Sequence, residues 1–135
     1  MFDLSKNDFS KTAEAGYEFE LKTPVGEGTG AFITVRGELS PAVKNYGREK
    51  YNEFKMKEQA AKRRGKEVEE LTLEEAEELA IESALVRVIS WRGIANEGKE
   101  VPFSKEVAAE IFKNHPWIRE QVMQESSELL NFRSK

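Results

Sequence analysis

From Tyr17 onward the apolar and polar positions alternate: Tyr17, Phe19 and Leu21 against Glu18, Glu20 and Lys22. Period two is the signature of a half-buried strand. The run Thr23-Pro24-Val25-Gly26-Glu27-Gly28-Thr29-Gly30 is built for turning. A second strand follows over Ala31–Arg36, with Ala31, Ile33 and Val35 on one face. Two strands around a glycine-rich loop predict a β-hairpin. A lone hairpin is marginal in water and must pack on something. The helices downstream are the available partner.

Those helices announce themselves by their caps. Ser40-Pro41 supplies an N-cap and a first-turn proline, predicting a helix to about Arg64 that Gly65 ends. Thr72 and Glu75 form a capping box. The helix it opens is predicted from Leu73 to about Trp91, with Ala76, Leu79, Ala80, Ala84, Val88 and Trp91 at helical spacing. Between Leu79 and Ile89 it is apolar almost all round, which argues for a central, buried helix. Gly93 is expected as its C-terminal cap. Residues 94–103 read as a loop. Ser104 caps a short helix carrying Val107, Ala108, Ile111 and Phe112, which Asn114-His115-Pro116 must break. Pro116 opens the last helix, whose stripe is Ile118, Val122, Leu129 and Phe132. Residues 1–16 are polar and read as a short helix or a loose arm. The expected fold is α+β and predominantly α-helical, an N-terminal β-hairpin packed on about four helices. The expected organisation is an arm (1–16) and one domain (17–135), the latter divided into hairpin (17–39) and helical part (40–135).

Charge changes this picture more than composition does. Charged residues make up 34% of the 135, yet the net charge is only −4. The signs are segregated. Between Pro41 and Lys66 nine basic residues face three glutamates, a net of +6. Between Glu67 and Glu82 there are eight glutamates and no lysine or arginine. Glu74/Glu78 and Glu78/Glu82 are like-charge i,i+4 pairs, mildly unfavourable in isolation. Cations are therefore expected near them, from the basic helix of the same molecule or of a neighbouring copy. With no cysteine, disulfides and thiolate metal sites are excluded. The N-terminus has no basic start followed by an apolar run, and no stretch approaches the roughly 20 apolar residues that span a bilayer. A soluble, cytoplasmic chain is expected.

No catalytic constellation stands out. The one histidine, His115, has no cysteine to join it and sits before a proline, so a structural or solvated role is expected. The glycines at 26, 28 and 30 lack the ending of a phosphate loop and join two strands, so they read as a hairpin tip. The glutamates at 74, 75, 77, 78 and 82 lack the Glu-x-x-His partners of helical metal sites and read as a solvated face. An enzyme, a cofactor and a metal are not expected. Lys62, Arg63 and Arg64 form a basic cluster without a recognisable nucleic-acid reader motif. Trp91, Phe103 and Trp117 lie near element ends, where large aromatics cover a core or face a partner.

Two blocks of the chain stand out together. One is Phe19-Glu20-Leu21-Lys22-Thr23-Pro24 through Gly30 to Ile33-Thr34-Val35-Arg36-Gly37. The other is Trp91-Arg92-Gly93-Ile94, Val101-Pro102-Phe103-Ser104, His115-Pro116-Trp117-Ile118-Arg119-Glu120-Gln121-Val122 and a closing Asn131-Phe132. In this order they resemble the tail assembly chaperones of siphophages of the lambda and HK97 type. Order and spacing agree over about residues 17–132, whereas 44–78 agrees only as a charged helical region. The resemblance implies a phage or prophage protein that binds the helical tape measure protein. It would keep that client soluble during tail assembly in the host cytoplasm and be absent from the mature virion. A frameshift-extended form would recruit the major tail (tube) protein, and self-association is plausible, with the oppositely charged segments meeting head to tail. Partner contacts are sought at Trp91, Phe103, Trp117 and Ile118, which either hold the second block together or present an apolar surface. Lys62, Arg63 and Arg64 are the candidates for assembly or client contacts. The competing readings are a structural tail or head-completion protein retained in the particle, and a small nucleic-acid-binding protein using the basic helix 41–66.

Overall fold

The computed structural model describes residues 1–133. The hairpin forms as its alternation predicts: β1 (Tyr17–Lys22) pairs antiparallel with β2 (Gly28–Val35), Phe19 opposite Ile33. Phe19, Leu21, Ala31, Ile33 and Val35 are all buried. The hairpin does not rest on helices alone. A third strand, β3 (Val88–Arg92), pairs antiparallel with the other edge of β2, so the sheet order is β1-β2-β3.

That strand corrects the expectation of one helix from Leu73 to Trp91. The helix, α3 (Leu73–Arg87), stops four residues sooner, and its capping box is present at Thr72 and Glu75. Ala84, Val88 and Trp91 fit a helical stripe, but Val-Ile-Ser-Trp is also β-prone sequence. The open edge of β2 decides between them, because its backbone groups need a ladder partner. Arg36 secures the switch: its Nη1 donates to the carbonyls of Val86 (3.0 Å) and Val88 (3.4 Å), where helix becomes strand. Gly93 therefore closes a strand, not a helix. Nor is α3 the buried centre of the fold: only its Ala84 and Arg87 are fully buried, and its first turns are exposed.

The remaining helices are α1 (Phe9–Ala15), α2 (Pro41–Arg63), α4 (Lys105–Asn114) and α5 (Pro116–Ser127). The caps at Ser40 and Ser104 and the prolines opening α2 and α5 stand where the sequence puts them. Gly65, with φ +67, follows the end of α2. Helices α3, α4 and α5 pack on one another, and α5 covers the inner sheet face through Ile118 and Val122. Leu129 departs from the predicted stripe. Helix α5 ends at Ser127, and Leu129 is half exposed in a 3-10 turn (Leu129–Phe132) that buries Phe132 instead.

Residues 9–15 are no loose arm. Ala13 is buried, its carbonyl accepts from Gly37 N–H at 3.0 Å, and the Thr12 hydroxyl donates to the Phe132 carbonyl. Gly37 admits this contact because a Cβ there would stand 2.9 Å from that of Ala13 and 3.0 Å from the Phe132 ring. Residues 94–103 are more than a loop as well. They contain a two-residue hairpin of β4 (Ala95–Asn96) and β5 (Lys99–Glu100). Glu97 (φ 52) and Gly98 (φ 79) are its central residues, both in the left-handed region a type I′ turn requires.

One side chain in the interior is poorly compensated. Arg87 is 8% exposed, its Nη1 has no hydrogen-bond partner, and its Nη2 reaches only the half-exposed Glu38 at 3.9 Å. Burial pushes its pKa down. A buried charge with weak pairing costs more in desolvation than it returns. Arg87→Met keeps the aliphatic volume beside Met123 and leaves Glu38 solvated. It should raise stability by about 1 kcal/mol, read as a higher denaturant midpoint at unchanged m-value.

Candidate functional site

The aromatic residues of the second block divide between interior and surface. Trp91, at the end of β3, is buried, and its indole N–H donates to the Val101 carbonyl at 2.8 Å. Phe103 packs edge-to-face on it, ring centroids 5.0 Å apart. Val101 N–H in turn donates to Ile94 O at 2.8 Å. These contacts close the base of the β4–β5 excursion. Trp91 and Phe103 thus hold the block together, with the Trp91 ring in the core.

Trp117 and Ile118 open α5. Ile118 turns inward and is buried, whereas Trp117 is half-buried and lines grooves on both of its sides. The first groove, about 420 Å³, runs between the β4–β5 excursion and the α4–α5 corner. Its apolar lining comes from Ile94, Val101, Val107, Ile111, Trp117 and Ile118, with Asn96, Glu110, Asn114 and His115 among its polar residues. His115 is exposed, and its ring lies 6.3 Å from that of Trp117. The second groove, about 470 Å³, lies between the β1–β2 turn and α5, and Glu20, Lys22, Glu120 and Gln121 make it polar. An open groove with apolar walls and polar groups among them can take up apolar side chains of an amphipathic helix.

The first groove was not legible residue by residue. Helix α4 carries Val107, Ala108, Ile111 and Phe112, a doubled stripe. Ala108 and Phe112 are completely buried, which leaves Val107 and Ile111 half-buried on the groove wall. The doubling was the available signal: one pair fills the core and the other is surplus. Gln121 anchors the other groove. Its side-chain amide accepts from Lys22 N–H (2.9 Å) and donates to Lys22 O (2.8 Å), as a neighbouring strand would.

Lys62, Arg63 and Arg64 sit elsewhere. They end α2, whose main neighbours are α1 and α3, and all three are exposed. The structure does not join them to the aromatic set. On the solvent face of the sheet, Arg92 spans β2, lying 4.1 Å over the Phe32 ring and bonding Glu18 of β1 at 2.8 and 3.1 Å. Those hydrogen bonds hold the Glu18 carboxyl below its usual range. Of the three glycines expected at the hairpin tip, Gly26 lies in the β1–β2 turn, whereas Gly28 and Gly30 belong to β2; a Cβ on Gly26 or Gly30 would meet open space. Among the described residues no three His, Asp or Glu side chains converge as a metal-binding group, and no helix is long and apolar enough to cross a membrane.

Compared with known families, residues 42–135 match the model described as YdaY prophage protein. The chain belongs to that family. The matched stretch holds every residue lining the first groove, together with α3, α5 and nearly all of α2. The hairpin β1–β2 and α1 precede it. Neither the curated proteins nor the solved structures gave a match. The resemblance to phage proteins is therefore supported at the level of a prophage protein, by a match that covers the groove.

Proposed function

We propose that this prophage protein is a tail assembly chaperone, which binds the tape measure protein and keeps it soluble until the tail tube forms around it. The observation that carries the reading is the open apolar groove beside Trp117, inside the family-matched stretch. A client that is long and helical presents apolar stripes at i, i+3 and i+4, and a trough of this kind accepts them one segment at a time. The groove is open and has polar residues in its lining, so each contact is individually weak and the client can be handed on. The ordered motifs shared with siphophage chaperones give the reading its specificity. In this role the protein works in the host cytoplasm, leaves before the virion is complete and uses no cofactor. Tube subunits would join through a frameshift-extended form.

The test is co-expression with the tape measure protein encoded nearby in the same prophage, followed by pull-down from the soluble fraction. The expected result is a soluble client that co-purifies with several copies of the chain. Trp117→Ala should lower that recovery at least fivefold and shift the melting temperature by no more than a few degrees, because the side chain is only half-buried. A client that stays insoluble with the extended form also supplied sinks the proposal. Detection of the chain in purified virions would favour the structural tail or head-completion reading instead.

A further inference from the structure

We infer that the α2–α3 arm is a self-complementary docking surface whose occupant is the same arm of a second copy. The sequence leaves two sources of cations for the acidic stretch, and the structure separates them. Within one molecule a single ion pair joins the helices, Lys50 to Glu82 at 3.1 Å, with the Tyr46 hydroxyl donating to the same carboxylate at 3.3 Å. The other ion pairs of α2 stay on α2: Lys50–Glu53, Lys55–Glu58 and Lys62–Glu58. Arg63 and Arg64 on one side, and Glu74, Glu75 and Glu78 on the other, make no salt bridge among the described residues. Lys50 thus compensates Glu82 inside the molecule, whereas the Glu74/Glu78 pair is left without a cation.

The same arm exposes large apolar side chains. Tyr51, Phe54, Met56, Leu71 and Leu73 are 50% to 86% exposed. Single exposed apolar residues are ordinary; here Tyr51 and Phe54, three residues apart, share one face of α2, Met56 lies on another, and Leu71 and Leu73 flank the N-cap of α3. From Tyr51 to Arg63 no residue of α2 is buried, although isolated helices of about this length are marginal in water. A partner that packs there would supply the missing support.

Charge decides which partner. The arm carries a basic helix beside an acidic one, so its complement must carry an acidic helix beside a basic one. A second copy turned antiparallel meets that condition, its α3 lying on the first copy's α2 and the reverse. This is the isologous geometry of a two-fold dimer. An acidic peptide would satisfy α2 and be repelled by α3, and nucleic acid would meet the same repulsion. The inference stands apart from the client reading, since the groove at Trp117 is not involved.

The test is sedimentation velocity of the full chain at about 0.1 M and about 1 M salt, between which the screening length falls from roughly 10 to roughly 3 Å. The expected result is a species of twice 15.4 kDa at low salt that dissociates at high salt. Two variants each reverse the sign of one charged cluster, so that the two clusters of the arm carry like charge: Lys62→Glu/Arg63→Glu/Arg64→Glu and Glu74→Lys/Glu75→Lys/Glu78→Lys. Each alone should associate at least tenfold more weakly than the parent, and an equimolar mixture should restore a one-to-one heterodimer. Circular dichroism confirms that each is folded. A parent chain that is monomeric at low salt, a dimer indifferent to salt, or folded variants that fail to pair when mixed would each overturn the inference. Should a variant not fold, the salt dependence of the parent alone decides.

Discussion

Gly93→Ala is expected to cost about 3 kcal/mol or more, whereas Gly98→Ala, at the same φ, costs about 1 kcal/mol. Both glycines have φ +79, so both substitutions incur the left-handed penalty of an L-residue. Their surroundings differ. Around Gly98 there is open space, as suits a hairpin tip. A Cβ on Gly93 would stand 2.7 Å from the Gly30 carbonyl oxygen and 3.2 Å from the Ala31 Cα. Those are backbone atoms of β2, and they cannot swing aside as a side chain would. The chain must lift β3 from β2 or break the turn after it. For a domain of this size the expected drop in melting temperature is on the order of 10 °C for Gly93→Ala and about 3 °C for Gly98→Ala. Equal losses at the two positions would mean that β3 does not approach β2 as closely as described.

That contrast bears on what a sequence can convey. Caps and turns are local, and they were legible: Ser40, Thr72 with Glu75, Ser104 and the prolines at 41 and 116 each mark a helix start. The β1–β2 hairpin was legible because period two and period 3.6 make different demands on Tyr17–Lys22. Residues 84–92 satisfy both periods, since Ala84, Val88 and Trp91 share a helical stripe while Val88 to Trp91 can also line a strand. Only the vacant edge of β2, some fifty residues away, selects the strand. Gly93 looked like a helix cap for the same reason, because a positive φ serves either ending. The β4–β5 turn was hidden by Glu97, an uncommon residue at φ 52 in a turn that favours asparagine or glycine. Arg87 continues the polar pattern of an amphipathic helix, and nothing local reveals that α5 and Glu38 enclose it.

The candidate site was legible as residue types and illegible as a place. Aromatic side chains at element ends were the right residues to single out, yet Trp91 and Trp117 look alike in one dimension. What separates them is whether a carbonyl waits for the indole N–H. Trp91 has Val101 O, while Trp117 has solvent and two grooves. Several other residues of the two blocks also serve the fold. Gln121 stitches α5 to Lys22, Arg36 terminates α3, and Asn131 holds the last turn through Glu125 at 2.8 and 3.0 Å. Blocks of this kind therefore report the architecture of this chain first, and the groove is what that architecture leaves open.

Trp91→Ala follows from the same geometry and should be the most damaging change in the second block. Truncating a buried tryptophan typically costs about 3–5 kcal/mol, through lost apolar burial and the cavity left behind. Here two further losses add to it. The Val101 carbonyl loses its donor, and Phe103 loses the ring it packs against edge-on. The excursion from Ile94 to Val101 would then be held at its base by the Val101–Ile94 hydrogen bond, so the wall of the first groove should loosen along with the core. Trp91→Phe keeps most of the volume and removes only the N–H, for which about 1–3 kcal/mol is expected. Chemical denaturation of the two variants beside Trp117→Ala orders them: Trp91→Ala far below the parent, Trp91→Phe between, and Trp117→Ala close to it. Recovery of the proposed client should follow stability for the two Trp91 variants and fall without it for Trp117→Ala. If Trp91→Ala melted with the parent while Trp117→Ala unfolded, interior and surface would be exchanged, and the groove would have to be sought on the other side of α5.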